Sequence, residues 1–139
     1  MSNWMVALAL LFLAGPALAG TTPVSPSAET HFVNVKDGDT VTSPFKVVFG
    51  STNIAIAPAG AVAPGSGHYH LLIDTALTPD EQAAAIPKDA QHLHFGKGQT
   101  EAVVTLPPGK HTLQIVIGDG KHELHARPVQ SQVITVTVK

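Results

Sequence analysis

The sequence has no cysteine, which excludes disulfide staples and any thiolate metal site. Both methionines (Met1, Met5) and the only tryptophan (Trp4) fall within the first 19 residues, so the chain beyond them also lacks thioether ligands. Cationic charge is not in excess: 8 Lys and Arg against 10 Asp and Glu give a formal charge of −2, which argues against a nucleic-acid surface. Aromatic residues make up only 5% of the chain. The few beyond residue 19 (Phe32, Phe45, Phe49, Phe95 and Tyr69) are needed for a core rather than for a sugar-stacking platform. No Gly-x-Ser-x-Gly elbow and no His-Glu-x-x-His is present. Gly96-Lys97-Gly98-Gln99 and Gly118-Asp119-Gly120-Lys121 are glycine-rich, but neither leads into a helix, so both read as hairpin turns and not as phosphate loops.

The one long apolar run is at the start. Residues 1–19 carry no charge, Val6–Ala14 has the length of a signal-peptide core, and Ala17-Leu18-Ala19 offers a small-x-small cleavage pattern. No Lys or Arg precedes the run. A membrane span is the rival reading, and Gly15-Pro16 interrupts it short of the roughly 20 apolar residues a span requires. The expectation is export to the periplasm or the exterior, with no membrane association after cleavage. Residues 20–30, GTTPVSPSAET, read as a flexible lead-in, and 31–139 as a single domain.

Within 31–139, short apolar runs alternate with Gly, Pro and Asp punctuation. His31–Val35 alternates weakly, Val41 and Phe45–Phe49 are β-branched and aromatic, and strands are expected at Ile54–Ala57, His68–Asp74, His92–Phe95, Thr100–Leu106, His111–Ile117 and Gln132–Val138. Turns fall at 36–39, 107–109 and 118–120, and a long loop at 58–67. Thr78, Pro79 and Glu81 form a capping-box signature for one short helix near 79–86. Seven or eight short strands with no βαβ rhythm predict an all-β, immunoglobulin-like antiparallel β-sandwich; a small closed barrel is the alternative. Alternation places Tyr69, Leu71 and Ile73 on the apolar face of their strand and His68, His70 and Leu72 on the other. It likewise turns Leu113, Ile115 and Ile117, and Ile134, Val136 and Val138, toward the core.

The abundant residue is histidine, with 8 in the chain, all beyond residue 19. His68-Tyr69-His70 and His92-Leu93-His94 are same-face pairs on strands, and His122-Glu123-Leu124-His125 adds a closely spaced pair. His111 opens a strand after a Pro-Pro-Gly turn, and His31 stands alone. Two imidazoles at i and i+2 sit about 6.6 Å apart at their bases and can lean onto one ion, completed from a neighbouring strand. The candidate metal ligands are therefore His68, His70, His92, His94, His111, His122 and His125. Nitrogen-only ligation suits copper(II), zinc or nickel. The opposing reading is that each imidazole only hydrogen-bonds its own loop. Of the carboxylates, Asp74 and Glu123 are the two placed to orient an imidazole; the others read as solvated.

Several stretches together resemble a family of small secreted bacterial domains without an assigned function. They are Ser43-Pro44-Phe45-Lys46-Val47, APAG at 57–60, GSGHYHLLID at 65–74, HFGKGQTE at 94–101, LPPGKHTLQ at 106–114 and GDGKH at 118–122. The likeness spans roughly residues 31–138. Where the family has a Gly-His-His-His-Leu-Leu-Ile-Asp run, this chain has Tyr69 at the middle position, which leaves the same-face pair intact. The resemblance implies export and a small β domain, without an activity. The C-terminal half is more loosely similar in architecture to periplasmic copper-resistance carrier domains, in which a histidine near the last hairpin binds copper; the matching position here is His122, displaced by Lys121 from the Asp-Gly order, and the likeness of fold alone implies copper slightly ahead of zinc.

Three functions follow. The first is an exported metal-binding domain that buffers or delivers copper or zinc, with the ion and an envelope protein as the partners to expect. The second is a structural or interaction module of the envelope. The third is a metal-assisted enzyme, the least supported of the three.

Overall fold

A computed structural model describes residues 20–139; the expected signal segment, 1–19, lies outside the described residues. Ten strands and one short helix follow in order: β1 Glu29–Phe32, β2 Thr40–Val41, β3 Phe45–Thr52, β4 Ala55–Ile56, β5 Ser66–Ile73, α1 Pro79–Gln82, β6 His92–His94, β7 Glu101–Val104, β8 Gly109–Gly118, β9 Leu124–Gln130 and β10 Ile134–Val138.

They form a β-sandwich. One sheet has three strands in the order β1-β3-β7. The larger runs β2-β10-β8-β5-β4, with β6 also pairing with β5 and β9 with β8. The alternation read from the sequence sets which side chains fill the space between the sheets. Val47 and Phe49 from the small sheet meet Tyr69, Leu71, Leu113, Ile115, Ile117 and Val136 from the large one, all buried. Phe49 stacks against Tyr69 and Phe95, with ring centroids 5.0 Å away in both cases. Burying this many large apolar side chains, at about 1.5–3 kcal/mol each, explains why the domain needs no disulfide.

The outer face of the large sheet is buried as well. Leu72, Val116 and Leu124 on that face pack with Leu77 and Ile86 from the excursion between β5 and β6. The excursion is held by Ile86, whose N–H donates to the His122 carbonyl at 2.7 Å, and by a bridge between Ala85 and Glu123. The capping box forms as its residues dictate: Thr78 Oγ1 accepts from the Glu81 N–H, and the Glu81 carboxylate accepts from the Thr78 N–H at 2.8 Å.

Three expectations need correction. The described residues hold ten strands rather than seven or eight. Two of these are two-residue pieces, and β9 went unread because Arg127 and Pro128 break its apolar alternation. The helix stops at Gln82, short of 86. Residues 20–30 are docked rather than a loose lead-in. Thr22, Ala28 and Thr30 are buried, the Thr22 and Pro23 carbonyls accept from Ala126 and Gly65, and Arg127 donates to the carbonyls of Ser25 and Ala28. Among the described residues, no helix is long and apolar enough to cross a membrane.

Candidate metal centre

Strand pairing brings the histidine pairs together. In β5, His68 and His70 point to the outer face of the large sheet, on the side of Leu72. The antiparallel register of β6 sets His94 opposite His70 and His92 opposite Leu72. On the other flank β8 places Gly118 opposite His68. This glycine leaves room for an imidazole, since a Cβ there would stand 2.8 Å from His70 Nε2. The β8–β9 turn then returns His122 over the pair. His122 adopts a left-handed backbone (φ 67°), an uncommon state for a residue with a Cβ.

Four imidazoles, those of His68, His70, His94 and His122, converge so that one ring nitrogen from each lies within 4.8 Å of all the others. His68 Nε2 is 2.9 Å from His70 Nε2 and 3.1 Å from His122 Nδ1. The six ring-centroid separations run from 4.6 Å (His94–His122) to 6.1 Å (His70–His122), with the other four between 4.7 and 5.1 Å. A tetrahedral ion with bonds of 2.0–2.1 Å to four imidazoles would set their centroids about 5.2 Å apart in every pair. A square-planar ion would give four separations near 4.5 Å and two trans separations near 6.4 Å, about 1.4 times longer. The pair opposite the single long separation is His68–His94, at 5.0 Å, so the four rings stand as a somewhat stretched tetrahedron.

Hydrogen bonding alone leaves this group frustrated. A neutral imidazole has one N–H and one lone pair. His68 Nε2 faces two ring nitrogens and can serve only one of them with a linear bond. His68 Nδ1, His70 Nδ1 and His94 Nε2 are buried without a protein partner. An unsatisfied buried polar group costs about 1–3 kcal/mol. No carboxylate reaches the four nitrogens among the described residues. Protonation gives no relief. Burial, then the neighbouring imidazoles, push His68 down to about 4 and His70 down to about 2, and burial lowers His94 as well. Burial therefore favours neutral rings at His68, His70 and His94, the form that metal coordination requires.

The other predicted ligands fall outside the group. His111 has Nδ1 2.7 Å from Asp74 Oδ2 and Nε2 2.8 Å from the Pro107 carbonyl. Both nitrogens face acceptors, which favours the imidazolium and raises its pKa, the bond to Asp74 contributing most. His125 donates through Nε2 to the Ser66 carbonyl at 2.8 Å. His92 is oriented by Asp89, 2.8 Å from its Nδ1, and its buried Nε2 meets no partner. His31 lies over Gly50 at the sheet edge, as its isolation suggested.

Of the two carboxylates expected to orient an imidazole, Asp74 does so, for His111 and not for the group of four. Glu123 makes no side-chain bond to any imidazole; its N–H donates to Asp119. The residue missed is Asp119, which is 1% exposed. It shapes the turn that carries His122, and its only sequence signal was its place between two glycines.

The family model described as "Domain of unknown function (DUF4399)" matches residues 47–139. The chain belongs to this family. All four converging histidines lie inside the matched region, and one of them, His122, is the position that the looser copper-carrier likeness singled out. No curated protein and no solved structure matches the chain.

Proposed function

We propose that this DUF4399 domain is an exported metal-binding protein that holds one divalent transition ion, zinc in preference to copper(II), between His68, His70, His94 and His122, and that it buffers or delivers that ion. The carrying observation is the convergence of four imidazoles on one point with no carboxylate among them. An ion would take the inward lone pair of each ring and end the competition of two ring nitrogens for His68 Nε2. Nitrogen-only ligation selects zinc or copper over calcium or magnesium, and the near-tetrahedral spread of the rings favours zinc. Four protein ligands close the coordination sphere, whereas a catalytic zinc keeps an open position, so storage or transfer is supported over catalysis. The outer nitrogens of His68 and His70 have no protein acceptor to raise their basicity, which suits an exchangeable ion better than a permanent structural one. Export rests on the apolar segment 1–19 and its small-x-small end.

The test is calorimetric titration of residues 20–139 with zinc and with copper(II) at about pH 7.5 and about pH 5.5. One ion per chain is expected, with zinc affinity weaker at the lower pH. His68→Ala, His70→Ala, His94→Ala and His122→Ala each abolish tight binding, whereas His111→Ala and His125→Ala leave it within about threefold. Saturable binding that survives loss of His70, or none at all in the parent chain, overturns the assignment.

A further inference from the structure

The turn that presents His122 is built by a buried acid. Asp119 Oδ1 accepts from the N–H groups of Lys121 (2.8 Å) and Glu123 (3.1 Å), and the His122 N–H donates to the Asp119 carbonyl at 2.9 Å. These bonds fold the turn tightly enough to put His122 into its left-handed conformation, with Nδ1 aimed at His68. The remaining oxygen, Oδ2, accepts from the Thr22 hydroxyl at 2.7 Å, across 97 residues of sequence.

Thr22 belongs to a short strap. The Gly20 Cα lies so close to the Leu124 carbonyl that an added Cβ would stand 1.8 Å from its oxygen, and its φ of 117° also suits glycine. The Thr22 carbonyl accepts from Ala126 at 3.0 Å, in β9 just beyond the turn. The Pro23 carbonyl accepts from Gly65 at 2.9 Å, at the start of the strand that carries His68 and His70. The strap therefore ties together the two chain segments that supply His122 and His68. It lies outside the family-matched region, 47–139.

We infer that residues 20–23 are a positioning strap for the ion site, with Thr22 and Asp119 as positioning residues that set His122 against His68. This rests on the function proposed above. The strap touches no ligand directly, so its effect is on how well the ligand set is assembled. Loss of a group that orients a metal ligand typically weakens affinity 10–100-fold, and that is the scale expected.

The test compares Thr22→Val, Thr22→Ser and Asp119→Ala with Ser131→Ala in chains beginning at residue 20. Ser131 is a buried control: it bonds the Ile115 N–H on the core side and touches neither the strap nor the imidazoles. Zinc affinity and dissociation rate are measured well below the unfolding midpoint of every variant. Thr22→Val and Asp119→Ala are expected to weaken zinc about tenfold or more and to speed its release, Thr22→Ser to restore both, and Ser131→Ala to lower the midpoint without moving either. A second readout needs no ion. Thr22→Val should shift the imidazole nitrogen resonances of His122 and His68 in the metal-free protein and leave those of His111 in place. Unchanged affinity and unchanged His122 resonances in Thr22→Val overturn the strap, as does an equal loss of affinity in Ser131→Ala. If the parent chain binds neither zinc nor copper, the metal reading falls, and the metal-free resonances alone decide whether the strap positions His122.

Discussion

On β5, Tyr69, Leu71 and Ile73 point into the space between the sheets, while His68, His70 and Leu72 point the other way; all six are 4% exposed or less. The two sides are equally buried and differ in what would complete them. The inner side is closed by the second sheet, whose apolar residues satisfy it by packing. On the outer side, the Leu72 half is closed in the same way by Leu77 and Ile86, but on the half that holds His68 and His70 four imidazoles converge. Burial alone therefore does not distinguish core from site. The difference lies in polar groups that no neighbour satisfies.

The comparison is broken most strongly by exchanging what each side contributes. Leu71→Ala should cost about 2–5 kcal/mol in urea unfolding and leave the four imidazoles able to take zinc. His70→Leu, of similar bulk, should keep or slightly raise metal-free stability, because it removes an unsatisfied ring, yet reduce zinc affinity more than about a hundredfold. Large destabilisation of the metal-free protein by His70→Leu would mean that the imidazoles are structural struts, and the two sides would no longer contrast.

Acid should act on the outer side alone. His68 and His70 have folded pKa values far below the ordinary 6.5, so between about pH 6.5 and pH 4 the unfolded chain binds more protons than the folded one. Stability of the metal-free domain is then complete above about pH 6.5 and falls as pH drops through that window. His68→Leu/His70→Leu should flatten the curve. If the double variant keeps the full acid sensitivity, other groups carry it.

How far the sequence could show all this depended on the range of the interactions. Period-2 alternation is local, so it assigned Tyr69, Leu71 and Ile73 to the core and His68 and His70 to the opposite side correctly, and Thr78 and Glu81 announced their helix for the same reason. The convergence of His94 on His70 depends on the register of β6 against β5, which no local pattern specifies. His92 and His94 look equivalent in the chain. The register alone sends one to the group of four and leaves the other opposite Leu72, beside Asp89. The contact between Thr22 and Asp119 spans nearly the whole domain, and the Ser- and Pro-rich composition around Thr22 suggested the opposite of docking.

The smallest expected effect concerns a histidine that the fold does use as a strut. The Asp74–His111 pair raises the imidazole pKa and lowers that of the carboxylic acid, whose bonds from His111 and Thr112 outweigh its partial burial. The raised His111 value gives stability that is whole below about pH 6.5 and is lost as pH rises through the folded value. The lowered Asp74 value gives stability that is lost on the acid side, below about pH 4. The pair therefore helps most between those limits, where His68 and His70 do the reverse. Asp74 is substantially exposed, so the whole contribution is expected at about 0.5–1 kcal/mol. His111→Ala should lower the unfolding free energy by about that much near pH 5.5 and by less near pH 8, with zinc affinity unchanged at either. A pH slope of the opposite sign would mean that His111 is neutral in the fold, and a change in zinc affinity would mean that the two histidine environments are coupled rather than separate.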